Sequence, residues 1–432
     1  WFLMSPSDIV PEGARCVKCG NTTFKKESDI IDVWFDSGVS HQAVLKHDPD
    51  LQFPCALYLE GSDQHRGWFQ TSLITALALE DRPPFHHVVT HGFTVDGDGK
   101  KMSKSAGNVI APQDIMKKYG ADILRLWVSS CDISQDVRIS DDIIKQMADA
   151  YRKIRNTLRF LLGNLFDFDI TTNRVAYKDL DDIDKWALGK CYNLVFEVTQ
   201  DYDSFRFHHI YRMIYNFCVI EMSSFYLDVL KDRMYTAHPD SRLRRSSQTV
   251  MHVIVQNLVK ILAPILSFTS EELCGAFKLE DDVDSIHLAE WPHVKTDCVD
   301  AQSIRDWDTL LSLREVINPL IEEKRSEGII GSSLEAQVSI HVEENELYTF
   351  LSAYREKLPL CLIVSAAELA VSDSLDPSVC EQIVDFNDTR IGVNVAKAAG
   401  EKCVRCWNYS TEIGKNSDHP HLCPKCLGAI GA

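Results

Sequence analysis

Residues 101–105, Lys-Met-Ser-Lys-Ser, could bind a polyphosphate. Their two ammonium groups would offset the charge that develops on a leaving pyrophosphate, and the preceding Asp96-Gly97-Asp98-Gly99 predicts a turn on which the segment could close over its ligand. A solvated basic loop would have the same residues, and their chemistry alone leaves both interpretations open. The candidate ATP-binding residues are Lys101, Met102, Ser103, Lys104 and Ser105, with Lys101 and Lys104 as the candidate catalytic pair.

A second group of polar residues follows the apolar stretch Ala56-Leu57-Tyr58-Leu59, which predicts a short buried strand. A carboxylate at the end of that strand could hold an ammonium group or ribose hydroxyls, and a glycine beside it would permit close approach of a ligand. His65 taken alone is more simply interpreted as a core histidine. The candidate binding residues here are Glu60, Gly61, Asp63 and Gln64.

Three Cys-x-x-Cys pairs occur among the fourteen cysteines: Cys16/Cys19, Cys403/Cys406 and Cys423/Cys426. Four thiolates from the last two pairs would satisfy tetrahedral Zn²⁺ and leave no open position, so they predict a structural zinc site. Cys16 and Cys19 supply only half of a site. They fit either a second metal with ligands further upstream or a turn with free thiols.

The elements around these residues predict an α/β module followed by helices. Residues 87–90 predict a second buried strand, and residues 67–79 predict a helix between the two strands. This order suits a parallel sheet whose strand ends carry the ligand. From Pro112 onward one long helix is predicted, with Ile115, Ile123, Leu126 and Trp127 along one face.

Residues from about 144 to 290 predict an antiparallel bundle, because apolar residues recur at steps of three and four. Pro264 is expected to kink or end the last of these helices. A helix from 301 is followed by residues 336–342, which alternate with the period of a half-buried strand. Residues 361–371 are a second candidate strand of this small α/β module.

Three segments carry a resemblance to class I aminoacyl-tRNA synthetases. Residues 101–105 with Gly107-Asn108 after them resemble the second signature of that class. Residues 58–69, YLEGSDQHRGWF, resemble the isoleucyl branch most closely, whereas the corresponding segments of the leucyl and valyl branches differ. Residues 32–38, DVWFDSG, resemble a segment that borders the aminoacyl pocket, which implicates Trp34; periodicity alone would make Trp34 a core residue.

The resemblance extends through most of the chain. Residues 151–165 resemble the opening helix of the anticodon-binding bundle, and residues 322–336 resemble the linker region after it. Residues 403–410 with 419–426 resemble a C-terminal zinc module. The implied fold class is multidomain, α/β plus α. The implied domains are the C-terminal part of a Rossmann-type catalytic domain (1–143), a helical anticodon-binding domain (144–300), a small α/β junction module (301–399) and a zinc knuckle (400–432).

The resemblance implies a ligase that activates isoleucine with ATP and passes it to tRNA(Ile). Glu60 would contact the adenylate, and Lys104, helped by Lys101, would stabilise pyrophosphate in the transition state. The implied cofactors are one Zn²⁺ at the four-cysteine site and Mg²⁺ with ATP. The implied partners are tRNA(Ile), ATP and L-isoleucine. The resemblance implies a monomer that does not bind a membrane. Trp407 and Tyr409 would either stack on tRNA bases or pack against the zinc core.

Three other functions remain open. The first is a valyl-type enzyme of the same class, and the second is a synthetase-like paralogue that binds tRNA without aminoacylating it. The third is a zinc-stabilised RNA-binding module in which residues 101–105 occur by chance.

The formal charge of -18 argues against nucleic-acid binding by the chain as a whole, although local patches decide. Two basic clusters could face phosphate or could be solvated helix faces: Lys145, Arg152, Lys153, Arg155 and Arg159, and Arg242, Arg244 and Arg245. No uninterrupted apolar run reaches the about 18 residues of a membrane span, and no signal peptide is found. Paired cysteines without a secretion signal predict the cytoplasm.

A HIGH-type first signature is not found, since neither 86–87 nor 91–92 matches it, and no editing domain is recognised. We therefore expect the chain to be the C-terminal portion of a longer enzyme and to be inactive alone. Isoleucine-dependent pyrophosphate exchange by these 432 residues alone would contradict this expectation.

Overall fold

The computed structural model describes residues 2–372, 375–376 and 379–431. The chain divides into two compact units, Trp1–Asn108 with Ile133–Arg138, and Val109–Asp132 with Ile139–Ala432. The domain boundaries inferred from the sequence remain predictions.

The first unit contains two parallel sheets of two strands each. Its helices are α1 (Pro6–Ile9), α2 (Val33–Gly38) and α3 (Trp68–Glu80), and its strands are β1 (Cys55–Gly61), β2 (Phe85–His91), β3 (Thr94–Val95) and β4 (Val137–Arg138). β1 pairs with β2 and β3 pairs with β4, both in parallel, and α3 connects β1 to β2. The predicted strand–helix–strand order is confirmed.

The second unit contains the remaining helices and two further sheets, one of four strands and one of two. Its helices are α4 (Pro112–Tyr119), α5 (Ala121–Ser130), α6 (Asp141–Gly163), α7 (Ile170–Asn173), α8 (Asp182–Asp203), α9 (Phe207–Asn216), α10 (Leu227–Thr236), α11 (Arg242–Leu262), α12 (Ser267–Ala276), α13 (Ala301–Ser326), α14 (Glu346–Ala353), α15 (Leu358–Leu362) and α16 (Pro424–Ile430). Its strands are β5 (Ala336–Val342), β6 (Ala366–Val371), β7 (Gln382–Phe386), β8 (Thr389–Lys397), β9 (Glu401–Lys402) and β10 (Tyr409–Ser410).

The single helix predicted from Pro112 is wrong, because the chain forms α4 and α5 with a break at Gly120. This glycine has a φ of +90°, a backbone conformation that residues with a Cβ rarely adopt. It ends α4 and precedes the first residue of α5. Pro264, in contrast, follows the last residue of α11 by two positions, which confirms the expected helix end.

The core of the second unit lies in the helical bundle. α8 packs against α9, α11 and α13, and Trp186 and Trp307 are completely buried. α9, a π-helical segment (Phe217–Tyr226) and α10 form one continuous stretch, Phe207–Thr236, which is long and apolar enough by composition to cross a membrane. The sequence analysis did not identify this stretch. Half of its most apolar window is buried, because residues such as Met222 pack into the bundle.

The small α/β module is built on the strand order β6-β5-β8-β7. β5 pairs in parallel with β6 and antiparallel with β8, and alternate residues of β5 from Ala336 to Val342 are buried, as predicted. The second predicted strand, 361–371, is correct only in part. The helix α15 extends to Leu362, and Ile363 has a φ of +55° before the strand begins at Ala366.

A buried carboxylate joins three segments of the bundle. Asp184 of α8 is fully buried and accepts hydrogen bonds from the Tyr226 hydroxyl at 2.7 Å and the Ser246 hydroxyl at 2.6 Å. It also forms an ion pair with Arg233 at 3.4 Å. Burial raises the pKa of Asp184, and the Arg233 charge opposes this rise. The hydrogen bonds and the Arg233 charge therefore stabilise the buried carboxylate, and the carboxylate in turn compensates the charge of Arg233.

We expect Asp184→Ala to lower the free energy of unfolding of the bundle by about 3–5 kcal/mol, since it leaves the Arg233 charge poorly compensated in the interior. Urea unfolding followed by far-ultraviolet circular dichroism measures the change. The matched control is Asp149→Ala, because Asp149 lies exposed on α6 and its ion pair is with the exposed Arg152. Equal unfolding midpoints for the two variants would contradict a structural role for the buried network.

Candidate functional site

Glu60 and Gly61 form the carboxyl end of β1, where the register places them opposite Thr90 and His91 of β2. The Glu60 carboxylate lies beside the backbone, since one of its oxygens accepts a hydrogen bond from the Gly61 N–H at 3.3 Å. A Cβ at Gly61 would lie 2.7 Å from the Asp63 carboxylate, so that side chain lies directly against the glycine. Two carboxylates therefore flank one glycine at this strand end.

Gln64 and Trp34 meet at the turn that begins α3. The Gln64 side-chain oxygen accepts a hydrogen bond from the Trp68 N–H at 3.0 Å. A Cβ at Gly67 would lie 2.8 Å from both that oxygen and the Trp34 ring. The Asp32 carboxylate caps α2 by accepting from the Trp34 N–H at 2.8 Å. The structure thus brings the predicted residues Trp34 and Gln64 to one turn.

An aromatic stack packs β1 against the start of α3 at this turn. The Tyr58 ring is buried in β1 and stacks on Trp68 with a centroid distance of 4.2 Å and an interplanar angle of 7°. Burial raises the pKa of Tyr58. The Trp68 indole N–H donates to the Ser37 carbonyl at 3.0 Å, which ties α3 to α2.

The segment after β3 is a hairpin closed by one carboxylate and one amide. One Asp96 oxygen accepts from the N–H groups of Asp98 and Lys100, and the other accepts from the Asn108 side chain at 2.7 Å. The amide oxygen of Asn108 accepts from the Ser103 N–H at 3.0 Å. The hydrogen bond from Asn108 is the main cause that lowers the pKa of Asp96. We call residues 96–108 the lysine hairpin.

Lys101 and Lys104 lie exposed on the lysine hairpin. The backbone of Lys101 bridges to Val95, which fixes the base of the hairpin on β3. Across the described residues, the structure shows no carboxylate within ion-pair distance of either lysine. Ser103 and Ser105 hydrogen-bond to each other at 3.1 Å. The ammonium groups are therefore available to a ligand, whereas the serine hydroxyls also serve the loop itself.

A cleft of about 510 Å³ lies between the strand ends and the base of the lysine hairpin. Its walls include Ser62, His91, Gly92, Val95, Gly99 and Arg138. Glu60, Lys101 and Lys104 do not line it themselves. Glu60 and Lys101 lie next to its wall, because Glu60 precedes Gly61 and Ser62, and Val95 is the bridge partner of Lys101.

The sequence analysis missed His91, Gly92 and Arg138 as site residues. A Cβ at Gly92 would lie 2.3 Å from the Gln135 carbonyl oxygen, so only glycine allows that segment to approach. One ring nitrogen of His91 lies 2.8 Å from the Gly92 carbonyl oxygen. The available signal was the His91-Gly92 pair directly after the predicted strand 87–90, which served only to reject a HIGH signature.

The four C-terminal cysteines form a compact buried cluster. All four sulfurs lie within 4.8 Å of one another, and the Cys406 and Cys423 sulfurs are 3.6 Å apart. Tetrahedral zinc with bonds of about 2.3 Å places its sulfurs about 3.8 Å apart, so this donor set fits the ion. Among the described residues it is the one group of three or more side chains placed to hold a metal.

Backbone donors favour a thiolate in this cluster. Burial acts to raise the pKa of Cys403, but the N–H groups of Cys406, Cys423 and Arg405 outweigh it and lower that pKa to about 6. Burial raises the pKa of Cys406 and Cys426. A divalent cation would stabilise the buried thiolates, because thiols that bind a metal are deprotonated and their negative charge is then compensated.

Cys16 and Cys19 lie in a turn, where the Gly20 N–H donates to the Cys16 carbonyl at 2.8 Å. Hydrogen bonds from the backbone of Cys19 and Lys18 lower the pKa of Cys16. No third ligand joins this pair in the part of the chain that the structure describes. The second-metal prediction stays a prediction.

The second basic cluster, Arg242, Arg244 and Arg245, forms ion pairs with carboxylates of the same unit. Arg244 is buried and donates two hydrogen bonds to the Asp167 carboxylate, at 2.5 and 2.9 Å, and Arg245 donates to the Asp167 carbonyl at 2.8 Å. Arg242 pairs with Asp179 at 3.1 Å. The phosphate-facing alternative is therefore wrong for Arg244. The first cluster is mostly exposed, and its ion pairs are of Lys145 with Asp141 and Asp142, Arg152 with Asp149, and Arg155 with Glu272.

Three family models match the chain in the same order as these features. Residues 5–140 match tRNA synthetases class I (I, L, M and V), and residues 184–340 match the anticodon-binding domain of tRNA ligase. Residues 400–427 match the zinc finger found in FPG and IleRS. The chain therefore contains, in this order, segments similar to these three families, each covering less than half of its length.

Isoleucine–tRNA ligases are among the curated relatives of the chain. The chain is 48% identical over 432 residues to the one from Caldanaerobacter subterraneus subsp. tengcongensis, covering 100% of this chain and 46% of that protein. It is 47% identical over 433 residues to the one from Caldicellulosiruptor bescii, covering 100% of this chain and 45% of that protein. The chain thus spans about half the length of these relatives.

A solved structure supports the fold alone. The LeuRS of Agrobacterium radiobacter K84 agnB2, determined with tRNA and LeuAMS, matches with a TM-score of 0.52 at 16% identity. The match covers 83% of this chain and 43% of that chain.

We expect the four-cysteine cluster to hold one Zn²⁺ and to lose it in Cys426→Ser, because three thiolates leave the tetrahedral site open. Metal analysis by mass spectrometry measures the stoichiometry, and Cys274→Ser, outside the cluster, should keep its zinc. Chelation should expose residues 400–431 to protease. A protease pattern that does not change when the metal is removed would contradict a structural zinc.

Proposed function

We propose that the protein is an isoleucine–tRNA ligase that activates isoleucine with Mg²⁺-ATP and transfers it to tRNA(Ile). The observation that carries this proposal is the cleft between the Glu60 strand end and the base of the lysine hairpin. Identities of 46–48% to isoleucine–tRNA ligases along the whole chain support the choice of amino acid.

The proposed chemistry is positioning and charge stabilisation. Glu60 contacts the aminoacyl-adenylate, with Gly61, Asp63 and Gln64 beside it, and Trp34 borders the amino-acid pocket. The two carboxylates beside Gly61 suit an ammonium group and ribose hydroxyls, because both are hydrogen-bond donors. The absence of a Cβ lets the ligand reach the strand end.

The lysine hairpin supplies positive charge to the leaving pyrophosphate. Lys104, helped by Lys101, stabilises the charge that develops when the bond between the α- and β-phosphates breaks. Mg²⁺, when bound with ATP, neutralises phosphate oxygens in the same step. The hydrogen bond from Asn108 to Asp96 closes the hairpin without the ammonium group of Lys101 or Lys104, so both ammonium groups remain available to a ligand.

The second unit is proposed to bind the tRNA anticodon loop. The anticodon-binding match covers residues 184–340. A groove of about 940 Å³ lies between α10 and the zinc knuckle, and its wall includes Tyr235 and Trp407, both 61% exposed. Arg405 hydrogen-bonds to the Thr236 carbonyl, and Lys425 pairs with Asp232, so the knuckle is fastened to α10. Exposed aromatic rings beside cations suit unpaired bases.

The cellular compartment and the oligomeric state of the protein are also proposals. All fourteen cysteines are free thiols, which is consistent with the reducing cytoplasm. We propose that the protein acts there as a monomer.

The protein as its gene encodes it should catalyse ATP–pyrophosphate exchange that depends on isoleucine. An aliphatic pocket shaped for isoleucine should prefer isoleucine over valine, which is one methylene smaller, by about 10- to 200-fold. A panel of amino acids in the exchange assay measures this preference. Stronger exchange with valine would favour the valyl-type enzyme, and no exchange with any amino acid would favour the tRNA-binding paralogue.

Lys104→Ala should lower kcat of the exchange reaction by about 10²–10³-fold, because it removes a charge aimed at the transition state. Steady-state kinetics with saturating isoleucine measures the effect. Lys100→Ala is the matched control, since Lys100 lies on the same hairpin but pairs with Asp98 at 3.7 Å. An equal loss in the two variants would show that Lys104 has no special role.

A further inference from the structure

Arg138 lies in the wall of the cleft, outside the two proposed catalytic lysines and the residues around Glu60. It is the last residue of β4, which pairs with β3 so that Arg138 stands opposite Val95. Val95 in turn bridges to Lys101. Backbone pairing therefore places Arg138 beside the base of the lysine hairpin, on a segment separate from the hairpin itself.

The guanidinium group of Arg138 lies against the turn of the hairpin. A Cβ at Gly99 would lie 3.4 Å from one of its terminal nitrogens and 3.6 Å from Nε. Gly99 has a φ of +83°, so the turn already favours glycine for its backbone conformation. The flat group therefore lies along the hairpin turn, at the side where Gly99 and Arg138 both line the cleft.

The rest of the cleft wall is polar, and Arg138 is its one lysine or arginine among the residues the structure describes. Ser62 and Gln135 offer neutral donors, and His91 offers an imidazole. The one carboxylate in the wall, Asp136, is engaged on one oxygen by the Phe93 N–H at 2.8 Å. A guanidinium group has five N–H donors, and together with Ser62, Gln135 and His91 it gives this wall several donors for an anionic ligand.

We propose that Arg138 is a further ATP-binding residue, whose guanidinium donates hydrogen bonds to the polyphosphate of ATP in this cleft. The proposal rests on the proposed function, because that function makes the cleft a nucleotide site. A guanidinium group can donate two parallel hydrogen bonds to one phosphate, which an ammonium group cannot do in the same fixed geometry.

The position of Arg138 predicts a role different from that of Lys104. Arg138 belongs to a paired strand, so it is in place before the reaction begins and contacts ground state and transition state alike. Contacts of that kind change KM and leave kcat largely unchanged. Lys104 lies on the hairpin loop and is proposed to act on charge that develops during the reaction.

The test compares Arg138→Ala, Arg138→Gln and Arg138→Lys in the protein as its gene encodes it. We expect Arg138→Ala and Arg138→Gln to raise KM for ATP by about 10- to 100-fold, the range for lost hydrogen bonds to a charged group, with kcat within a few fold. Arg138→Lys should fall between these variants and the unmodified protein. Arg82→Ala is the control, since Arg82 stacks over Phe53 at 4.7 Å and does not line the cleft.

Calorimetric titration with Mg²⁺-ATP separates this proposal from the proposed function. If the unmodified protein binds ATP but activates no amino acid, the function fails, while a weaker affinity in Arg138→Gln would still support the ATP contact. If exchange occurs but Arg138→Gln binds ATP with unchanged affinity, or loses kcat without a change in KM, the Arg138 proposal is overturned. Arg138→Lys, which keeps the charge, provides the same comparison if the neutral variants fail to fold.

Discussion

The parallel pairing of β1 with β2 is the constraint on which the candidate site depends. Parallel strands bring their carboxyl ends to the same edge of a sheet, so Glu60 and Gly61 stand beside Thr90 and His91. The chain leaves β2 and enters β3 and the lysine hairpin within a few residues. Strand register and a short connection therefore place an acidic strand end and a basic hairpin around one cleft.

A sheet of two strands offers little rigidity, and local contacts hold the site together. The Asp96 carboxylate and Asn108 amide close the lysine hairpin, and Gly92 lets the Gln135 backbone approach so that β4 can pair with β3. None of these contacts uses the ammonium group of Lys101 or Lys104. The charges that the proposed reaction needs are thus kept apart from the contacts that shape the loop.

The sequence predicted the parts of the fold that follow from local patterns. The strands β1 and β2, the buried alternation of β5 and the four-cysteine cluster come from short-range spacing, and the structure confirms them. The break at Gly120, the buried pairing of Arg244 and the cleft position of Arg138 were not predicted. A positive φ, an ion pair between distant segments and a strand of two residues leave no periodic trace, because tertiary contacts decide them.

Hydrogen–deuterium exchange with and without Mg²⁺-ATP tests most directly whether the strand end and the hairpin share one nucleotide. The account predicts that ATP slows exchange at the amides of residues 60–66 and 96–108 together, with the same dependence on ATP concentration, and leaves residues 170–431 unchanged. Protection of only one of the two segments by bound ATP, or protection at different ATP concentrations, would contradict the shared site.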